Sequence, residues 1–324
     1  MIFNNDRTQY STKKDNLIMY EFLTISNITM LEPYEKELIP FLTGLKTQLT
    51  PYEKEKVSFL FNIQKEVFKV FIIHQENVDM YFVLYGYGKP KKIKKMNFKT
   101  LQNFFQDMNN IDGGKTYSKR LASSKEGDFD PFVNDILKEV HNLPFFKDDN
   151  GLALTKQLLG NHATKGFDMD LFQYIPSTNE YIIYEFLKRE KDYVTNVTAH
   201  PMRYSWKEKE SATGKDNRQK FIALWKAKKF FNAKLFLISY SDKKDEKISV
   251  METVGFDEEK GILEEKKYCM SQNMFVAWLK DMNTYSRKDN NYLSDFKMSH
   301  YDKTFFQNFK ENKKQYGQEF RLEA

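Results

Sequence analysis

Cysteine is almost absent: Cys269 is the only one in 324 residues. A single thiol excludes an intramolecular disulfide and any zinc site built from several cysteines. Set between Tyr268 and Met270, it reads as a small packing residue rather than a nucleophile. Histidine is scarce as well, with five scattered along the chain and no zinc-binding spacing among them. Long apolar runs are also missing. The strongest, Met80 to Tyr85 and Leu235 to Ile238, fall far short of the ~20 residues that span a bilayer. The opening residues, MIFNNDRTQYSTKKD, lack a basic start followed by an apolar run, which argues against a signal peptide. A soluble, cytoplasmic protein without a membrane partner is the expectation.

What is present describes a folding chain. Apolar residues make up 40% and aromatics 16%, enough to build a core rather than a disordered tail. The length suits a substantial core and two domains. A net charge of +6, from 51 basic and 45 acidic residues, permits nucleic-acid binding without demanding it. Lys89, Lys91, Lys92, Lys94 and Lys95 crowd one stretch, and Lys226, Lys228, Lys229 and Lys234 form another. Each group has two readings, a solvated loop or helix face, or a surface that contacts phosphates.

Periodicity separates two regions. In the first, Lys54 to Phe61 reads as a helix, Val67 to His74 with Val78 to Tyr85 as a hairpin, and Phe98 to Met108 as an amphipathic helix. A polar stretch from Asp112 to Pro131 reads as a linker. Within it Gly114-Lys115-Thr116 has the ending of a phosphate-binding loop, but Asn109 stands where the first glycine is required, so nucleotide binding there is discounted. The domains are therefore expected at 1–130, an α+β unit for nucleic acid or a partner, and at 131–324. In the second region helices are expected over Phe132 to Leu143 and Leu152 to Leu159, then a hairpin. Beyond it come a helix from a cap at Asn217 to Phe231, a buried strand from Lys234 to Tyr240, a strand from Ile248 to Val254 and a helix from Gln272 to Met282. The tail from Tyr301 to Lys314 reads as a charged helix. One internal echo, Phe104 to Asn109 against Trp278 to Asn283, is compatible with duplication or with chance.

Residues 166 to 190 are the most informative. Pro176, Ser177, Thr178 and Asn179 supply turn chemistry between flanks rich in Phe, Tyr and Ile. With those four as the loop, Ile175 faces Glu180, Tyr174 faces Tyr181, Phe172 faces Ile183 and Asp170 faces Glu185. Carboxylates directly across a strand pair have Cβ atoms about 4.5 to 5.5 Å apart and repel unless neutralised. A divalent cation would neutralise them, and hard carboxylate oxygens suit Mg²⁺ or Mn²⁺. A register shifted by two residues would put Asp168 across from Glu185 instead. Carboxylates solvated at the edge of the hairpin are the bland alternative.

Asp170-Leu171-Phe172 and Ile182-Ile183-Tyr184-Glu185-Phe186, set in an order of helix, hairpin, helix and strand from Phe132 to Tyr240, resemble the PD-(D/E)XK nuclease superfamily. The resemblance implies an α/β (α+β) fold, a restriction-endonuclease-like mixed sheet flanked by helices. It also implies Mg²⁺-dependent cleavage of DNA, or less often RNA. The family's lysine belongs two positions after Glu185, where Leu187 stands; the nearby lysine is Lys188, which a regular strand would turn to the opposite face. A bulge near Phe186 would bring Lys188 round as the third catalytic residue. Lys165, Arg189 or Lys191 are the alternatives. Further along, Arg203 is a candidate phosphate contact, with Tyr204 and Trp206 as stacking residues or core-closing aromatics. On the next helix Arg218, Lys220 and Lys228 are candidate backbone contacts, alongside Lys91, Lys92, Lys94 and Lys95.

Three readings compete: a metal-dependent nuclease of the kind found in restriction, phage defence or mobile-element processing; a non-catalytic DNA-binding or interaction protein on a degenerate nuclease fold; and a structural subunit. A homodimer or a protein partner is compatible with each.

Overall fold

The computed structural model describes residues 1–63, 65–112, 131–143, 150–162, 164–188, 218–241, 247–258, 261–284, 293 and 297–300. Its class is mixed α and β, as expected, and the chain divides into two compact units. The first comprises residues 3–130 and 147–169, and the second residues 1–2, 131–146 and 170–324. The division thus differs from a simple break at 130, because each unit includes a piece of the other half of the sequence.

The first unit holds β1 (Ile2–Ser11), β2 (Asn16–Thr24), α1 (Leu38–Gln48), α2 (Pro51–Asn62), β3 (Phe68–His74), β4 (Tyr81–Tyr87), β5 (Lys92–Met96) and α3 (Phe98–Asn109). Its strands run in the order β1-β2-β3-β4-β5, antiparallel except for the parallel pair β2 and β3. Parallel neighbours need a crossover, and α1 and α2 supply it. Thr50 and Glu53 form a reciprocal capping box that starts α2, with Pro51 at its first position. Strand alternation splits β2 between two faces. Ile18, Tyr20 and Phe22 pack with Leu101 and Phe105 of α3 and Leu154 and Leu158, whereas Glu21 turns toward Lys56 of α2.

The second unit holds α4 (Pro131–Val140), β6 (Phe167–Ile175) from Asp170 onward, β7 (Glu180–Lys188), α6 (Arg218–Phe231), β8 (Lys234–Tyr240), β9 (Lys247–Asp257), β10 (Gly261–Ser271), α7 (Gln272–Asn283) and β11 (Lys297–His300). The intervening helix α5 (Asn150–Leu159) belongs to the first unit. The strand order is β6-β7-β8-β9-β10-β11, again with one parallel pair, β7 and β8, joined through α6. Tyr184, Phe186, Phe236 and Ile238 form one core with Trp278 and Leu279 of α7 and Ile136 and Leu137 of α4.

The helices and strands expected within the described residues are present, while the hairpin β1–β2, helix α1 and strands β5, β10 and β11 are additional. Lys92, Lys94 and Lys95 of the lysine-rich stretch lie in β5, a strand at the end of the order that, among the described residues, pairs with β4 alone. Lysines on such an edge discourage pairing with other chains. The expected tail helix at 301–314 lies outside the described residues, as does the linker expected from Asp112 to Pro131 except for its two end residues, Pro131 being the first of α4.

Candidate active site

The hairpin β6–β7 has the register its sequence dictates: Ile175 pairs with Glu180, Tyr174 with Tyr181 and Phe172 with Ile183. Asn179, in the left-handed region at φ 50, completes the turn. One further step brings Asp170 across from Glu185, and the Phe186 N–H donates to Asp170 Oδ2 at 2.5 Å. Asp168 is exposed and two residues out of that register. Glu185 is only 3% exposed, since its strand is covered by α6, and Asp170 is half-buried.

The lysine at this pair is Lys220. Its Nζ, reaching back from the first turn of α6, lies 2.6 Å from Glu185 Oε1, with 31% of the side chain exposed. The bulge expected near Phe186 is not there. Strand β7 pairs with β8 without interruption from Ile182 to Lys188, so Lys188 lies on the opposite face from Glu185 and is exposed at the strand end. Lys220, read from sequence as a phosphate contact, therefore occupies the position that a strand-based reading gives to Lys188. Arg203, Tyr204, Trp206, Arg189 and Lys191 lie outside the described residues, as does the side chain of Arg218. Lys91, just before β5, and Lys92, Lys94 and Lys95 within it are exposed, and Lys95 pairs with Glu32 at 2.7 Å. The second lysine group is engaged within its own unit. Lys226 pairs with Glu258 at 3.7 Å, Lys234 with Glu180 at 2.8 Å, and Lys228 lies 4.5 Å from the centre of the Trp225 ring. Burial lowers the pKa of Lys228.

Sequence reasoning missed that the cluster occurs twice. In the first unit Arg7 pairs with Tyr20, which brings Asp6 across from Glu21. The Phe22 N–H donates to Asp6 Oδ2 at 2.8 Å, as Phe186 does to Asp170, and both bonds span 16 residues. Lys56 of α2 contacts Glu21 and lies 3.4 Å from Asp6 Oδ1. Asp6, Glu21 and Lys56 thus match Asp170, Glu185 and Lys220 at one constant displacement along the chain. The match continues beneath the hairpins. Gln9 Nε2 donates to the Met108 carbonyl at 3.1 Å, and Gln173 Nε2 to the Met282 carbonyl at 2.7 Å. Asn109 and Asn283, ending α3 and α7, each accept a backbone N–H through Oδ1, from Lys165 and Ile2 respectively. The echo between the ends of these helices is therefore part of a duplicated unit. Its signal in sequence is Asp-x-x-Gln-Tyr followed by Ile-x-Tyr-Glu-Phe-Leu, at Asp6 to Leu23 and again at Asp170 to Leu187.

The copies differ in access. Lys56, Asp6 and Glu21 have side chains only 2 to 3% exposed. Gly151 of α5 closes the first cluster so tightly that a Cβ there would stand 2.8 Å from Asp6 Cβ. In the second copy solvent reaches the lysine. Among the described residues, no group of three or more His, Cys, Asp or Glu is placed to hold a metal, so any ion here would depend on two carboxylates, water and substrate. No helix of the described residues is long and apolar enough to cross a membrane. No protein family, curated protein or solved structure matches the chain.

Proposed function

We propose that the second unit is a metal-dependent nuclease of the PD-(D/E)XK type, acting on DNA ahead of RNA and located in the cytoplasm. The observation that carries this reading is the cluster of Asp170, Glu185 and Lys220, open to solvent at its lysine, on a hairpin, helix and parallel-strand framework. The donor set fits a small hard cation. Two carboxylates against one ammonium leave a net negative charge, and two carboxylate ligands completed by water and a phosphate oxygen suit Mg²⁺ or Mn²⁺. When bound, that ion supplies charge stabilisation at phosphorus and a water of lowered pKa.

The chain's own residues do the positioning. The Phe186 N–H donates to one oxygen of Asp170 and so fixes the orientation of its carboxylate. Burial of Glu185 in a dry strand strengthens its pull on any cation. Lys220, partly exposed beside Glu185, is the member placed to stabilise charge on a phosphate oxygen bound at the site. The buried bridge from Tyr184 Oη through Gln173 to the Met282 carbonyl braces the hairpin against α7.

A second reading, a non-catalytic nucleic-acid-binding module, draws on the same ion pair, because Lys220 already neutralises part of the carboxylate charge. Cleavage of mixed DNA and RNA substrates with Mg²⁺ or Mn²⁺ separates the two. The nuclease reading expects cleavage that disappears in Asp170→Asn and Glu185→Gln. Binding without cleavage, or equal cleavage by all three proteins, would sink it.

A further inference from the structure

We infer that the two clusters have separate roles: the chain carries one metal centre, at Asp170 and Glu185, and the matching cluster of Asp6, Glu21 and Lys56 is a locked structural copy. This rests on the reading of the second cluster as a metal site and assigns the first a different task. An ion entering a carboxylate pair must shed water, pass through the protein and displace whatever cation is already there. In the first cluster all three side chains are essentially shielded from solvent, and Lys56 engages both carboxylates at once. The backbone of Gly151 backs directly onto Asp6, leaving no room on that side. The lysine therefore does permanently what a cation would do transiently. In the second cluster the same lysine remains nearly a third exposed, so ligand and ion reach it.

The surroundings of the first copy have specialised accordingly. Where the second copy has Leu171 in an apolar core, the first has Arg7. Arg7 is buried and donates to Thr164 Oγ1 at 2.5 Å and to Asn109 Oδ1 at 2.7 Å. Gly166 makes room for it, since a Cβ there would collide with the guanidinium carbon. A cation buried this way belongs to architecture, not to turnover. One consequence concerns the product. A monomer with one working centre cuts one strand of a duplex per encounter.

The test is Mn²⁺ titration of three proteins: wild type, Asp170→Asn, and the triple variant Asp6→Asn, Glu21→Gln, Lys56→Met, whose neutral side chains keep the volume of a buried ion cluster. One equivalent of Mn²⁺ per chain is expected, lost in Asp170→Asn and kept in the triple variant. Two equivalents, or loss in the triple variant alone, would overturn the inference, and the wild-type stoichiometry decides the matter even if the triple variant fails to fold. No binding by wild type would remove both readings. One equivalent without cleavage of any nucleic acid would remove the nuclease reading and leave the division of roles standing. On closed circular DNA, under conditions where the chain is monomeric, nicked circles should accumulate before linear product; linear product formed directly by the monomer contradicts a single centre.

Discussion

Lys220 is the residue whose replacement distinguishes this site from the one its sequence suggests. Its ammonium lies 2.6 Å from a carboxylate that is almost fully buried, yet its own side chain is nearly a third exposed. Breaking a fully buried ion pair costs about 3–5 kcal/mol, while exposed pairs contribute about 0.2–1 kcal/mol. With one end in solvent, water can replace part of what the lysine supplies, so Lys220→Met should cost about 2 kcal/mol, between those limits. The closed counterpart gives an internal comparison: Lys56→Met should reach the upper range, about 3–5 kcal/mol, because it strands two buried carboxylates. Both losses should shrink as pH falls and the stranded carboxylates take up protons, since the penalty belongs to the charged form. Urea unfolding of the two variants at neutral and acid pH reads these values. In the cleavage assay Lys220→Ala should lose about 100- to 1,000-fold in rate, the scale expected on removing a charge-stabilising donor, with nucleic-acid affinity nearly intact. Lys188→Ala should cut like wild type. An inactive Lys188→Ala, or a Lys56→Met less damaging to stability than Lys220→Met, would refute this assignment.

Three further outcomes follow from the structure. Gly151→Ala should cost about 1–3 kcal/mol through overpacking against Asp6, measurable by thermal unfolding, while leaving cleavage unchanged. Burial, aided by Lys89, lowers the Lys69 pKa from its ordinary 10.5 to about 8. Lys69 also donates to the Phe61 and Ile63 carbonyls at the end of α2. Between those two pH values the unfolded chain holds a proton that the folded chain has released, so stability should rise with pH there, and Lys69→Met should flatten the rise. Replacing Lys91, Lys92, Lys94 and Lys95 by Ala should reduce the log-log salt slope of duplex DNA binding by roughly 0.9 for every phosphate that is no longer neutralised. An unchanged slope would leave these lysines only as guards of the β5 edge.

Where one physical rule controlled the local structure, the sequence was readable. The β6–β7 register followed from a Pro-Ser-Thr-Asn turn and alternating aromatic residues, and with it the pairing of Asp170 and Glu185. The β1–β2 hairpin escaped notice because its buried positions include Asn5, Arg7, Thr8, Gln9 and Ser11, which erase the apolar alternation that marks a strand. Several of those polar groups bond to partners distant in sequence, such as Thr164 and Asn109 for Arg7. Lys220 was visible as a residue but not as part of the site. Strand parity identifies residues near Glu185 in sequence, whereas a helix lysine reaches it only after the chain has crossed back over the sheet. Comparing the two halves would have exposed it, because Lys56 and Lys220 share the displacement that relates the carboxylates.

Crystals grown with Mn²⁺ and measured for its anomalous scattering test the central claim most directly. One peak is expected, within coordination distance of Asp170 and Glu185, and none beside Lys56. A peak at Asp6 and Glu21, or none at Asp170 and Glu185 under conditions where nucleic acid is cleaved, would contradict the claim.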